Sequence, residues 1–251
     1  MKILVFTEGT ILSHRDWPAL SREEIAYLLL QMRLEGKGLA GEHTIRQVQA
    51  IPGEQLPFVL LAQLASQELV VYYDESMPTD LRNELAATVI EFPKVDSLLD
   101  VFRSHGIHPE VGHYRTYVFR SPPAKDTEVR RLSKHDPRVQ AFGFGGFVEW
   151  VYAVERNDAL ASACASTREN EECGEAWVYT DPAYRHQGFA QKVVNTWADS
   201  LVDAGKIPFY SHKIENAASA SLARKLGLQP VFDEISIENR LKGNTGLNLT
   251  I

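Results

Sequence analysis

At 251 residues the chain is long enough to bury a sizeable core, and its 44% hydrophobic content is that of an ordinary globular protein. A net charge of −7 argues against nucleic acid as the main partner and mildly favours cationic substrates. No apolar run approaches the roughly 18 residues of a membrane span. Met1-Lys2-Ile3 enters a strand directly and lacks the features of a secretory signal, and two cysteines suit a reducing compartment, so a cytoplasmic location is expected.

In chain order, Met1–Gly9 reads as a buried strand. Its Glu8-Gly9-Thr10 faintly resembles a phosphatase opening motif, but Phe6 and Glu8 stand where that chemistry needs aspartates. Ser21-Arg-Glu-Glu24 is a capping box, opening a helix with Ile25, Leu28, Leu29 and Met32 on one face. Leu69–Tyr73 reads as a strand. Leu81, Leu85 and Val89 suggest one helix, and Leu98, Leu99 and Phe102 another that Gly106 closes. His105, His108 and His113 follow at a spacing that fits no zinc signature, with no cysteine nearby, so no metal is expected. Tyr114–Phe119 reads as a strand and Arg120-Ser-Pro-Pro-Ala-Lys125 as a Pro-rich turn, the expected boundary between an α/β segment over 1–120 and a second domain over 125–251. Cys164 and Cys173 form no redox motif and are expected to be structural.

The most informative stretch is Val178-Tyr-Thr-Asp-Pro-Ala-Tyr-Arg-His-Gln-Gly-Phe-Ala190, an apolar strand running through a turn into a helix. Gly188 and Ala190 let a ligand approach the backbone closely, and the N–H groups opening the helix have no intrahelical acceptors. With the helix dipole they form an anion site suited to a pyrophosphate, to which Arg185 adds a planar fork of donors. Phe189, Val193, Val194, Trp197, Leu201 and Val202 then recur at helical spacing up to Gly205. Ile207–His212 is a short strand. Asn216 caps a helix over Ala217–Leu226, Gly227 fits its left-handed end, and Val231, Ile235 and Ile237 alternate as a closing strand.

The segment from about Val129 to Ile237 resembles the GNAT superfamily of acyl-CoA N-acyltransferases. The match is carried by Thr180-Asp-Pro-x-Tyr-Arg185-x-x-Gly188-x-Ala190, then Tyr210-Ser211, then Asn216-x-x-Ser219 leading to Lys225-Leu-Gly227-Leu. Val129–Asp136 resembles the family's opening strand and turn, and Val151–Glu155 with Ala159–Ala165 its next hairpin, joined by Arg156-Asn-Asp158. The fold implied is α/β: a mixed, largely antiparallel sheet with flanking helices and a splayed parallel strand pair, preceded by a mixed α/β N-terminal domain. That first part is read as a substrate-binding or diverged second domain.

The resemblance further implies an acyl-CoA site. The pyrophosphate would lie on Arg185, His186, Gln187, Gly188, Phe189, Ala190 and Gln191. The pantetheine arm would run beside Val178, Tyr179 and Thr180 where two parallel strands splay, and Asn216 and Ser219 would touch the cofactor from the last helix. Glu175 matches the position from which family members often supply a general base; its plainer reading is a surface residue of the acidic turn Glu169–Glu175. A lysine-like amine, with a reference pKa of about 10.4, needs such a base at neutral pH. Many members carry at the position of Ala223 a tyrosine that protonates the leaving thiolate, which alanine cannot do. The acid is therefore unassigned, with Tyr210, Ser211 and His212 close by in the expected fold. The expected activity is acetyl transfer from acetyl-CoA to a primary amine of a small molecule, without nucleic acid or membrane as partner. A CoA-binding module without catalysis and a protein-lysine acetyltransferase are the alternatives.

Overall fold

The structure is a computed structural model that describes residues 17, 19–33, 44–45, 57–74, 76–121, 123–146 and 149–238. The strand expected over Met1–Gly9 lies outside the described residues. In chain order the elements are α1 (Arg22–Arg33), β1 (Thr44–Ile45), β2 (Pro57–Leu64), β3 (Leu69–Asp74), α2 (Thr79–Ala87), α3 (Asp96–Ser104) and β4 (Glu110–Val118). They continue with β5 (Arg130–Ser133), α4 (Pro137–Ala141), β6 (Trp150–Arg156), β7 (Ala159–Glu169) and β8 (Cys173–Thr180). The last are α5 (Phe189–Asp203), β9 (Ile207–Lys213), α6 (Ala217–Lys225) and β10 (Gln229–Glu238). All the strands join one sheet in the order β1-β3-β2-β10-β4-β9-β8-β7-β6-β5. Its pairings are antiparallel except β1 with β3 and β8 with β9.

Local signals set many of these elements. Ser21 and Glu24 make the reciprocal capping box, with Ser21 N–H donating to Glu24 at 2.8 Å and Glu24 N–H to Ser21 Oγ at 3.2 Å. Ile25, Leu28, Leu29 and Met32 of α1 are buried as its periodicity predicts, and Ala26 and Leu30 are buried too. The β6–β7 hairpin turns on Asn157 and Asp158, both at positive φ, residue types that tolerate the left-handed region. Gly106, Gly205 and Gly227 take the left-handed positions after α3, α5 and α6.

The structure departs from the sequence reading at several points. Val89 is 78% exposed, because α2 ends at Ala87. The polar run Glu169–Glu175 is not one long turn: β7 continues through Glu169 and β8 starts at Cys173. The division expected at residue 120 does not interrupt the sheet. β4 lies between β9 and β10, paired with both, and β2 pairs with the other edge of β10. N-terminal strands thus complete the same sheet that carries the sequence motifs.

Strand pairing also decides which helix covers which face. Side chains alternate across a strand, so residues paired side by side share a face. Trp197 Nε1 of α5 donates to Ser166 Oγ at 3.0 Å, and Ser166 is paired with Ala176. Ser166, Ala176 and Tyr210, the next partner along, therefore share the α5 face. On the opposite face, Cys173 Sγ lies 3.5 Å from Met32 Sδ of α1. Phe144, at the end of the α4 segment, packs with Trp177 at a ring separation of 4.3 Å. α1 crosses this second face from β2 and β10 to β7 and β8.

Candidate active site

The parallel pair β8/β9 is joined only over its lower half. Its register runs from Cys173 opposite Ile207 to Ala176 opposite Tyr210 and stops there. Above that point β8 pairs only with β7, out to Thr180 opposite Ser162, while β9 pairs with β4 out to Lys213 opposite Tyr114. Trp177, Val178, Tyr179 and Thr180 thus form one prong of an open fork, and Ser211, His212 and Lys213 the other. The prongs diverge above Ala176 and Tyr210, which leaves a gap along which an extended ligand arm could lie.

β8 leads into the loop expected to hold an anion. Asp181 accepts from Ala183 N–H at 2.8 Å and caps the short turn Pro182–Tyr184. Arg185 is exposed and its Nε donates to the Thr180 carbonyl at 3.3 Å, which holds the guanidinium beside the strand end. His186 has a φ of 64° and Gly188 a φ of 82°, so the loop takes two left-handed steps before α5. Gly188 is the N-cap of α5 and no side chain caps that end, so the opening N–H groups from Gly188 to Gln191 are available to an anion. A Cβ built on Gly188 meets no atom within 4 Å, so the space above it is open. Gln191 Nε2 donates to the Lys225 carbonyl at 3.5 Å, tying the first turn of α5 to the end of α6. The base of this loop is braced by Lys192, whose Nζ lies 2.6 Å from Glu128 and 3.3 Å from Asp126. Arg156 also pairs with Glu128 and lies over the Phe189 ring at 4.5 Å.

The residues expected on α6 stand at its start. Asn216 Oδ1 accepts from Ser219 N–H at 2.9 Å, the cap that the sequence predicts. Ala223 is the buried residue of α6, at 1% exposure, and carries no acid.

Glu175 is not a surface turn residue. It is 4% exposed, sits in β8 opposite Phe209 one step below the fork, and its Oε2 lies 3.1 Å from Arg168 Nη1 on β7. Cys173 and Glu175 are two residues apart in one strand and share the α1 face, so Glu175 lies on the opposite side of the sheet from the anion loop. Burying a carboxylate requires a counter-charge, and Arg168 provides it. Sequence reasoning missed Arg168, because the pairing depends on a bulge in β7 between Ser166 and Arg168.

On β9 the candidate groups divide between the two faces. Ser211 hydrogen bonds to Thr116 at 2.9 Å and lies on the Glu175 side. Tyr210 and His212 lie on the α5 side. His212 Nδ1 is 2.7 Å from the Lys213 carbonyl and Nε2 is 3.2 Å from the Tyr117 hydroxyl, with the two rings stacked at 5.3 Å. A carbonyl only accepts, so a neutral His212 carries its proton on Nδ1 and accepts from Tyr117 on Nε2. Arg115 and Asp233 close this row with a two-pronged ion pair at 2.6 and 2.7 Å.

Among the described residues no group of three or more His, Cys, Asp or Glu side chains is placed to hold a metal ion. His105 pairs with Glu84 at 2.8 Å and His113 packs edge-on against Phe92. Cys164 and Cys173 are both buried and unbridged. No helix among the described residues is long and apolar enough to cross a membrane.

This geometry agrees with the protein-family comparison, in which residues 143–233 match the model of the GNAT acetyltransferases. This part of the chain has a GNAT-superfamily fold. Acyl transfer is the general chemistry that the match supports. A comparison with curated proteins found no match. Among solved structures, a functionally unknown conserved protein from Staphylococcus epidermidis is 10% identical with a TM-score of 0.51, over 89% of this chain and 99% of that one. A GCN5-related N-acetyltransferase-like protein from Streptococcus suis is 14% identical with a TM-score of 0.48, over 88% of this chain and 100% of that one. A GNAT-family protein from Novosphingobium aromaticivorans is 19% identical with a TM-score of 0.46, over 53% of this chain and 66% of that one. At 10% identity the likeness to the Staphylococcus epidermidis protein is one of fold.

Proposed function

We propose that this protein transfers an acetyl group from acetyl-CoA to a primary amine of a small molecule. The observation that carries the proposal is the fork. It opens between a face bearing an uncapped helix N-terminus and a face bearing a buried, ion-paired carboxylate. The open space above Gly188, the uncapped N-terminus of α5 and the edge of β8 from which β9 has parted fit a pyrophosphate followed by an amide-containing arm. In this reading Gly188 to Gln191 and Arg185 hold the pyrophosphate, while Val178 and Thr180 orient the arm by backbone pairing. Bound there, acetyl-CoA would supply the activated acyl carbonyl at the fork.

Glu175 would act from the α1 side. It is the buried carboxylate nearest the point where the strands part, and it would take the ammonium proton directly or through a water. Arg168 would hold it ionised until then. The net acidity of the chain favours a cationic acceptor.

The test is release of free CoA thiol across a panel of amines that includes a lysine peptide. Turnover with small amines supports the proposal; turnover with the peptide alone would make the protein a lysine acetyltransferase. One observation favours a second reading, a CoA-binding module without catalysis: the buried position of α6 is the alanine Ala223. Saturable CoA binding without turnover on any amine would establish that reading.

A further inference from the structure

Resting on the reading above, we propose that Trp177 and Tyr179, backed by Phe142 and Phe144, form the wall that receives the acceptor. That wall selects a primary amine carried on an apolar, ring-bearing body over a hydroxylated or polycationic one. Cys173, Glu175, Trp177 and Tyr179 alternate along β8 and share the α1 face. Burial along β8 ends at Ala176, where β9 parts from it, and Trp177 and Tyr179 are both partly exposed. The first ring therefore stands one step above the carboxylate that would take the amine proton, about 7 Å along the strand.

The rings are backed from the β7 flank. There they stand beside Ala165 and Ala163, whose small side chains leave room that the α4 segment fills. Phe144 packs on Trp177 at a ring separation of 4.3 Å, and Phe142 meets Tyr179 edge-on at 5.3 Å. Gly143, at a φ of 88°, turns the chain between the two phenylalanines. Both of their rings thus reach the strand, stacked on each other at 5.9 Å. The other flank of the wall faces the gap between the prongs. A cofactor arm paired with strand backbone would lie in the plane of the sheet, which leaves the α1 side of that gap to the acceptor.

Aromatic faces attract an ammonium and bury the hydrocarbon next to it. An amine presented to Glu175 would set its body against Trp177 and the far end of that body against Tyr179. A hydroxylated body would lose its water against the same rings at a cost. Lys213 is exposed at the end of the other prong, on the same face, and opposes a second positive charge on the acceptor.

The test sets phenethylamine against ethanolamine and spermidine, by calorimetric binding to the CoA-saturated protein and by turnover with acetyl-CoA. Phenethylamine should bind about tenfold or more tightly than ethanolamine, with kcat/KM in a similar ratio and spermidine the poorest of the three. Trp177→Ala should remove most of that preference by raising the phenethylamine KM about tenfold, against a smaller change for ethanolamine. Tyr179→Leu keeps apolar bulk and removes a ring face. It should weaken the preference part of the way, and serves where Trp177→Ala is unstable. Rings that only support the fold would lower stability when replaced and leave the ratio between the amines intact, and that result overturns the proposal. Equal or better binding of ethanolamine or spermidine by the unaltered protein overturns it too. Absence of turnover on every amine instead overturns the acyltransferase reading, and this inference with it.

Discussion

The two halves of the sheet differ in how their sequence relates to their role. Strands β5 to β9 and the loops between them carry every motif of the anion loop and the fork. Strands β1 to β4 carry none, yet β4 is paired on both sides and sits directly against β9, one prong of the fork. The proposed ligand contacts would demand particular residue types, such as those at Gly188 and Asn216, which a reader can recognise. Holding a strand in the middle of a sheet demands only backbone pairing and apolar faces, which many sequences supply. Motif density therefore marks where a ligand would lie and not where the fold is held.

Separating the halves is the most severe test of that comparison. A chain beginning at Ala124 would lack β4 and β2, leaving β9 paired with β8 alone and both edges of β10 without partners, and stripping the cover from Phe232, Ile235 and Ile237. Such a chain should be insoluble or fail to bind CoA. Its recovery as a folded, CoA-binding monomer in sedimentation and melting experiments would show that the C-terminal half stands alone.

Within the motif-bearing half, Glu175→Gln should lower kcat by roughly 10²–10⁴-fold while barely changing CoA affinity. The same change breaks a partly buried ion pair with Arg168, so thermal stability should fall as well. A loss of stability with an unchanged pH–rate profile would reduce Glu175 to a structural ion pair. Gly188→Val should be smaller in energy. It forces a β-branched residue to a φ of 82° and puts a side chain into the open space above the helix end. The stabilisation of about 2.7 kcal/mol that CoA at one hundred times its Kd confers should vanish. Persistence of the melting shift would move the pyrophosphate away from this loop.

The smallest expected effect lies outside the fork. Asp136 caps α4 and bonds Arg138, whose side chain and backbone hydrogen bonds lower its pKa from 3.8 to about 2. A folded-state pKa below the unfolded one contributes stability that is complete above about pH 4 and is lost as pH falls through 2. Asp136→Asn should accordingly flatten the acid limb of the stability curve between those values. Because the group is solvent-exposed, a difference confined to that window is the whole prediction.

Much of this architecture was legible beforehand because it rests on local chemistry. The capping box at Ser21, the Asn216 cap and the left-handed glycines each satisfy or release particular backbone groups, and each leaves a letter in the sequence. β2 left none. Its run Pro-Phe-Val-Leu-Leu-Ala-Gln-Leu is covered on both faces, which erases the alternation that marks a half-buried strand. The plainer reading of Glu175, a surface turn residue, fails for the opposite reason. Surrounded by Glu169, Asn170, Glu171 and Glu172 it looks like part of a solvated turn, and its pairing with Arg168 across the bulge offsets the cost of its burial. The Tyr117–His212 pair depends on residues far apart in the chain meeting through β4, so no local pattern could announce it.

The place of β10 also has a consequence for how the protein is made. β10 is the strip that joins β2 to β4, and it follows every other described strand in the chain. Until it has emerged from the ribosome, β2 and β4 each keep an unsatisfied edge and the sheet exists as separate pieces. Such edges invite pairing with other chains, so synthesis should pass through an interval in which the nascent protein depends on shielding. Emergence of β10 would end that interval in one step, by zipping it between two strands made long before it.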